Sequence, residues 1–128
     1  MPVEHSFDTD ANLLIVVLRS PVGDEDLLKY AHHITEDPSI SAGHNELIDL
    51  REVETGGEVT SPVLRRIASM FSEIDRTPEQ TRVAIVANSD VAYGLSRMYQ
   101  AFRSESPLDL RVFREVSEAR SWLGLSPE

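Results

Sequence analysis

The sequence predicts an α/β fold, a mostly parallel five-stranded sheet with helices packed against it. Three observations indicate this class. Short apolar segments alternate with longer segments whose apolar residues recur at helical spacing. The segment RVAIVA at residues 82–87 is apolar on both faces, as a central parallel strand is when it is covered on both sides. The first two apolar segments are separated only by turn formers, which predicts an antiparallel first strand at one edge of the sheet.

The first half of the chain supplies three strands and one helix. Residues 3–7 and 13–18 form the predicted hairpin around the turn DTDAN. The segment DEDLLKYAHHITED is the first helix, and Pro38 marks its end. Its apolar positions at helical spacing are Leu27, Tyr30, Ala31 and Ile34. ELIDLR at residues 46–51 is the third strand.

The second half continues the alternation. Ser61 is predicted to cap the second helix, with Pro62 at its first position. The apolar arc of that helix consists of Val63, Leu64, Ile67, Met70, Phe71 and Ile74. A strand at residues 82–87 precedes a third helix that begins at Ser89 or Asp90, and DLRVF at residues 109–113 is the last strand. Ser117 is predicted to cap a short final helix, which gives the order β-β-α-β-α-β-α-β-α in one domain.

The third helix, in SDVAYGLSRMYQAF, contains Gly94 in its second turn. Glycine in a helix interior costs roughly 1 kcal/mol relative to alanine, so some gain must offset it. A helical projection predicts a buried stripe of Val91, Leu95, Met98, Tyr99 and Phe102. Gly94 and Ala101 lie on its margin, where another element could pack closely. Alternatively, Gly94 opens a cleft beside Tyr93 and Arg97, a pair at i, i+4 that could hold an anionic or aromatic ligand.

Composition restricts the function classes. The formal net charge of -10 argues against nucleic acid as a partner, because phosphate binding needs a basic surface. No apolar run approaches the ~20 residues that span a bilayer. The chain has no cysteine and its N-terminus has no secretory signal, so a cytoplasmic location is expected. The acidic excess lies in the first 60 residues and indicates either a solvated surface or a docking surface for a basic partner.

The strand IDLREV, which leads through a loop to a helix N-terminus, resembles the anti-anti-sigma-factor superfamily (SpoIIAA-like, STAS). LIDLREV, VAIVANSDVAYGLSRMYQ and LRVFREVSEARSWLG look like an uncharacterised bacterial branch of that superfamily, over nearly the whole chain. The resemblance implies a SpoIIAA-like fold and a non-enzymatic regulatory module that binds a protein partner. Classical members carry an Asp-Ser-Ser-Gly signature at the start of the second helix, and phosphorylation of the serine in that signature releases a partner protein. The matching stretch here is Val59-Thr60-Ser61-Pro62, without that signature, and Ser61 is the phosphorylation candidate.

Candidate binding residues follow from the predicted topology. The strand-to-helix junctions should meet at the carboxyl edge of the sheet, where helix N-termini suit an anion. The candidates for binding a ligand or an anion are Arg51, Thr60, Ser61, Ser89, Asp90, Tyr93 and Arg97. In the alternative interpretation, Ser61, Ser89 and Asp90 only cap their own helices.

No catalytic, cofactor or metal site is predicted. The sequence contains no nucleophile elbow, P-loop, zinc-protease helix or dinucleotide fingerprint, and His32 and His33 cannot converge on one metal. Asp49 lies within an apolar strand and is expected to accept backbone amides nearby. An enzyme that uses Asp49 or Asp90 as its acid or base is the least favoured interpretation.

Two further functional hypotheses remain open. The alternative to a regulatory module is a carrier of a small apolar ligand or lipid, with a cavity lined by Met70, Phe71, Met98 and Phe102. A weak homodimer is the second hypothesis, through ELIDLR or DLRVF as an exposed edge strand.

Overall fold

The computed structural model describes residues 2–37, 44–53, 59–74, 81–106 and 108–126. Within these ranges the chain forms strands and helices in the predicted order. The strands are β1 (Val3–Asp8), β2 (Leu13–Arg19), β3 (Asn45–Glu52), β4 (Arg82–Val86) and β5 (Asp109–Phe113). The helices are α1 (Asp24–Glu36), α2 (Ser61–Ile74), α3 (Asp90–Phe102) and α4 (Val116–Trp122). Pro38, the predicted stop of α1, and the side chain of Ile74 lie outside the described part of the chain.

The sheet has the order β1-β2-β3-β4-β5, with β1 antiparallel to β2 and the other pairs parallel. The prediction of a mostly parallel sheet with an antiparallel first edge strand is therefore confirmed. The segment ELIDLR forms most of β3, which is the central strand, so its predicted use as an edge strand is wrong. The side chain of Asn45 fixes one end of this strand, because its Oδ1 accepts the amide of Arg82 at 2.9 Å.

The position of the helices follows from this strand order. Each parallel strand lies beside the one that precedes it in sequence, and crossovers of a single hand therefore place α1, α2 and α3 on the same face. We call this the three-helix face. On β2, Leu14, Val16 and Leu18 point toward it and are buried. Leu13 points to the opposite face, where it joins a core cluster with Ala119 and Leu123 of the α4 region.

The two-sided covering is clearest at β4. Its residues Val83 to Val86 are all buried, which confirms the prediction that this strand is central and covered on both faces. Val83 and Ile85 pack toward α3, whereas Ala84 and Val86 pack toward α4.

The predicted buried stripe of α3 is partly wrong. Val91 and Met98 are 52% and 38% exposed, whereas Ala92 and Ser96 are buried. The helix can turn Ser96 inward because its hydroxyl donates to the carbonyl of Ala92 at 2.7 Å, which satisfies the polar group within the helix. Arg103 is likewise buried, and its guanidinium has polar partners nearby.

Gly94 is not explained by close packing. Apart from the adjacent residues and the backbone of its own helix, a Cβ placed on Gly94 would meet no atom of the described residues within 4 Å, so the predicted groove for another element is wrong for these residues. The predicted cap of the last helix also shifts. The helix begins at Val116 and Glu115 occupies the N-cap position, so Ser117 lies inside the first turn. None of the helices in the described ranges has the length and apolar character required to cross a membrane.

Candidate functional site

Arg51 contacts Asp49 at the carboxyl end of β3. Its guanidinium donates to both carboxylate oxygens, at 3.0 and 2.9 Å, and its amide donates to Oδ1 at 2.9 Å. Burial alone would raise the pKa of Asp49, but the hydrogen bonds and the charge of Arg51 outweigh it and lower the pKa below its ordinary value. Asp49 is thus held ionised as a structural partner. This pairing is the opposite of what an anion site or a protonated catalytic acid requires.

Thr60 and Ser61 lie at the start of α2, beside Asp24 of α1. The helix begins at Ser61, so the residue before it is Thr60, and the predicted N-cap position of Ser61 is shifted by one. The carboxylate of Asp24 accepts the amide and the hydroxyl of Thr60, each at 2.8 Å. A carboxylate of the chain itself therefore supplies negative charge at this helix N-terminus. A phosphate on Ser61 would come next to Asp24, and like-charge repulsion would disfavour it.

Ser89 caps α3, because its hydroxyl accepts the amide of Ala92 at 3.1 Å. This agrees with the alternative interpretation of Ser89 as a cap. The topology gives a reason why the predicted carboxyl-edge site is weak. Ligand crevices of open α/β sheets form where the strand order reverses, and the order β1-β2-β3-β4-β5 does not reverse.

Asp90, Tyr93 and Arg97 lie in one exposed cluster with Arg114. Asp90 accepts from Arg114 at 3.0 Å, and that guanidinium lies 4.1 Å from the centroid of the Tyr93 ring. Arg97 reaches the Tyr93 hydroxyl at 3.5 Å, the outer limit of a hydrogen bond. The Asp90 carboxylate thus balances the charge of Arg114, whereas Arg97 leaves the cluster with a net charge of +1. Arg51 and Thr60 are engaged elsewhere, so the structure divides the seven candidates among separate local contacts.

A further candidate site is a cavity of about 120 Å³ between the sheet and the helices that cover its three-helix face. All three helices of that face line it, together with β2, β3 and β4. Of the eighteen described residues that line it, fourteen are apolar, and the other four are Tyr30, Glu46, Ser96 and Tyr99. A concave, mostly apolar site with a few polar groups is the usual form of a small-molecule site.

The residues that were predicted to line a carrier cavity match this cavity only in part. Of the four residues proposed to line a carrier cavity, Phe71 does so, but Met70, Met98 and Phe102 are not among the lining residues. The cavity forms instead where α3 presents Ala92 and Ser96 to the sheet. Small residues on an inward helix arc are a signal that could have indicated unfilled volume there.

Among the four polar lining residues, Tyr30 differs in its hydrogen bonding. Its hydroxyl oxygen is buried and has no hydrogen-bond partner among the described residues. An unsatisfied buried hydroxyl costs about 1–3 kcal/mol, and buried tyrosines usually find a partner. A polar group of this kind in an apolar cavity is therefore one that a ligand could satisfy.

Glu46 is the charged side chain among the residues that line the cavity. Its side chain is 15% exposed, and its Oε1 lies 3.7 Å from Nε2 of His44. Burial, and then the negative charge of Glu46, raise the pKa of Tyr30 well above its ordinary value. The Tyr30 hydroxyl consequently keeps its proton and remains a hydrogen-bond donor at neutral pH.

The remaining polar groups of the cavity have partners. The Ser96 hydroxyl donates to its own helix, and the Tyr99 hydroxyl accepts from Nη1 of Arg103 at 2.8 Å. Tyr30 and Tyr99 thus both line the cavity, but the Tyr30 hydroxyl has no partner among the described residues whereas the Tyr99 hydroxyl is engaged.

A second, more polar pocket, of about 360 Å³, lies between β1 and α1 and is lined in part by His5, Lys29 and His33. His5 lies against His33, with ring centroids 5.1 Å apart, a contact between β1 and α1 that sequence spacing does not reveal. The described residues contain no group of three or more His, Cys, Asp or Glu side chains placed to hold a metal ion.

Comparison with known proteins assigns no family to the chain. No protein-family model matches it, and a search of the curated proteins found no significant match.

Proposed function

We propose that this protein is a non-enzymatic domain that binds one small, mainly apolar ligand between its sheet and the helices α1, α2 and α3. The observation that carries the proposal is the cavity of about 120 Å³, which is lined in part by Tyr30, a residue whose hydroxyl is buried and unpartnered within the described ranges. Native interiors are close-packed, and apolar voids of this size are few. An unfilled void and an unsatisfied hydroxyl each reduce the stability of the folded protein. A ligand that fills the void and accepts a hydrogen bond from the hydroxyl would explain both.

The size of the cavity limits the ligand. An engineered apolar cavity of about 150 Å³ in another protein binds benzene, so the volume here corresponds to a ligand of about one ring. A long acyl chain does not fit within the described boundary. The proposal is therefore a small-molecule site, and not a carrier of membrane lipids.

The test is a titration of the protein with an apolar probe, either toluene or methylenecyclohexane, in which binding is detected by NMR of the protein's methyl groups. The methyl signals of Ile67 and Leu95, which line the cavity, should shift on titration. The signals of Val91, on the outer face of the same helix as Leu95, should not. Shifts at Val91 without shifts at Ile67 would locate the binding on the surface and refute the proposal.

A matched pair of variants makes the test specific. Ala92→Leu fills the cavity from a residue that is 1% exposed, and it should abolish probe binding. Ala101→Leu adds the same atoms to an exposed position of the same helix and should leave binding unchanged. If the wild-type protein binds neither probe, or if Ala92→Leu still binds them as well as wild type, the proposed function is wrong.

A protein-interaction role is the second candidate, supported by the outer face of α3. Val91 and Met98 are the exposed large apolar residues of the described ranges, and Gly94 lies between them on the same face. We define these three residues as the α3 strip. Exposed large apolar side chains are a common feature of protein contacts, and a glycine permits close approach of a partner backbone.

The first occupant to test is a second copy of the chain. Sedimentation velocity across a concentration series should reveal a dimer that Met98→Lys removes. Glu118→Lys, at an exposed position on α4, changes the charge elsewhere and should leave the dimer intact. A monomer at all concentrations would exclude self-association through the α3 strip.

A further inference from the structure

We infer that the cavity selects an uncharged ligand of about one ring that carries a hydrogen-bond acceptor, which the Tyr30 hydroxyl binds, and that Glu46 excludes carboxylates. This inference rests on the proposed ligand-binding function and adds the chemical class of the ligand.

The acceptor is required by the state of Tyr30. Tyr30 is one of the residues that line the cavity, and its hydroxyl is buried without a partner among the described residues. Because burial and the charge of Glu46 raise the pKa of this hydroxyl, it carries a proton to donate. A ketone, ether or ester oxygen in the cavity would accept a hydrogen bond from it and relieve the unsatisfied donor. A hydrocarbon of the same shape would leave it unsatisfied.

The exclusion of anions follows from the charges around the cavity. Glu46 lines it with a side chain that is only 15% exposed, so its charge is weakly screened by water. Arg103 is a buried cation beside Tyr99, but it is engaged by the Tyr99 hydroxyl and by Ser106. A carboxylate ligand would therefore lose its hydration and approach a like charge.

The lining gives no support for a more polar ligand. Fourteen of the eighteen lining residues are apolar, and the hydroxyls of Ser96 and Tyr99 already have partners. A ligand with several polar groups would bury most of them without a partner. A ligand with one hydrogen-bond acceptor on an otherwise apolar ring therefore matches the residues that line the cavity.

The experiment compares two isosteric probes, methylenecyclohexane and cyclohexanone, in the wild-type protein, in Tyr30→Phe and in Tyr99→Phe. Affinities are measured by the methyl NMR titration. The ratio of cyclohexanone affinity to methylenecyclohexane affinity should fall about five- to tenfold in Tyr30→Phe, the loss of one net hydrogen bond. It should stay within about twofold of wild type in Tyr99→Phe, which removes a hydroxyl that has another partner. Using a ratio cancels the different hydrophobicities of the probes.

The exclusion of anions is tested separately with a carboxylate probe. Cyclopentanecarboxylate should bind wild-type protein at least about tenfold more weakly than cyclohexanone, and Glu46→Gln should recover several-fold of its affinity. The ratio of cyclopentanecarboxylate affinity to cyclohexanone affinity should therefore be several-fold higher in Glu46→Gln than in wild type.

The outcomes separate this inference from the proposed function. If no probe binds, the ligand-binding function itself is wrong. If methylenecyclohexane binds in the cavity but Tyr30→Phe leaves the ratio unchanged, or if the carboxylate binds as well as the ketone, the site exists and the inferred ligand class is wrong. Both tyrosine variants are checked by circular dichroism, and an unfolded Tyr99→Phe is replaced as control by Ser96→Ala, whose hydroxyl also has a partner.

Discussion

Gly94 and Gly124 offer a direct test of how the backbone, and not side-chain packing, decides the cost of a glycine. For both residues, the place where a Cβ would lie has no atom of the described residues within 4 Å, apart from adjacent residues and, for Gly94, the backbone of its own helix. Their backbones differ: Gly94 lies inside α3, whereas Gly124 follows α4 with a φ of +81°. Gly94→Ala and Gly124→Ala therefore make the same chemical change in equal space but in different conformations.

The expected effects have opposite signs. Alanine is better than glycine by about 0.8–1 kcal/mol in a helix interior, so Gly94→Ala should stabilise the protein by about 0.5–1 kcal/mol. At Gly124 the left-handed conformation costs an L-residue about 1–2 kcal/mol. The amides of Gly124 and Leu125 close the end of α4 on Ser121 and Arg120, at 3.0 and 2.8 Å, so that conformation cannot easily relax.

The assay is thermal unfolding. With an unfolding entropy of about 2.1 cal/mol/K per residue, a chain of 128 residues has a total of about 270 cal/mol/K. Gly94→Ala should then raise the Tm by about 2–4 °C, and Gly124→Ala should lower it by about 4–7 °C. An unchanged or lowered Tm for Gly94→Ala would refute the reasoning, because it would mean that something packs against Gly94 in the folded protein. Repeating the scan at a tenfold lower protein concentration identifies a second copy as the cause.

The remaining predictions concern four side chains. Asp24→Ala should cost about 1–2 kcal/mol in urea unfolding, because it removes two hydrogen bonds to the start of α2, and a loss below about 0.5 kcal/mol would contradict this. Because the pKa of Asp49 is lowered below its ordinary 3.8, its pairing stabilises the fold above that pH and is lost as the pH falls through the lower folded value. Asp49→Asn should therefore flatten the loss of stability below about pH 4, and an unchanged acid transition would be evidence against the pairing. Trp122→Ala should cost about 2–3 kcal/mol, since the ring packs on the α4 side of the sheet, and a Tm equal to wild type would refute that role. Tyr30→Phe should leave ligand-free stability unchanged or raised, because the hydroxyl has no partner to lose among the described residues, and a loss above about 1 kcal/mol would reveal one.

The fold could be predicted because its determinants are local. Alternating apolar strands and amphipathic helices specify the element order, and the apolar character of Val83 to Val86 on both faces places β4 inside the sheet. The place of ELIDLR was harder to predict. Strand order depends on which neighbours the crossovers select, and β3 becomes central only because each strand lies beside its predecessor.

The site could be predicted much less well, because its partners are far apart in sequence. Asp24 satisfies Thr60 across 36 residues, and no spacing rule brings these two side chains together. The presence of charged and hydroxyl residues at helix N-termini was predicted correctly. The sequence alone could not show that the chain supplies its own counter-charges there, which leaves little for an external anion to do.

The orientation of α3 links these errors to the cavity. A projection that ranks residues by apolarity turns Val91 and Met98 inward, yet the folded helix turns Ala92 and Ser96 inward. This orientation of α3 exposes large apolar side chains and leaves unfilled space between the helix and the sheet. Both features have a free-energy cost in an isolated domain. Local rules are usually violated where function requires it. A ligand in the cavity would contact the inner arc of α3 while the α3 strip faces outward on the same rigid helix. One rotation of this helix thus accounts for both candidate functions, and filling the cavity with Ala92→Leu while monitoring the Met98 methyl signal would measure whether the two faces are coupled.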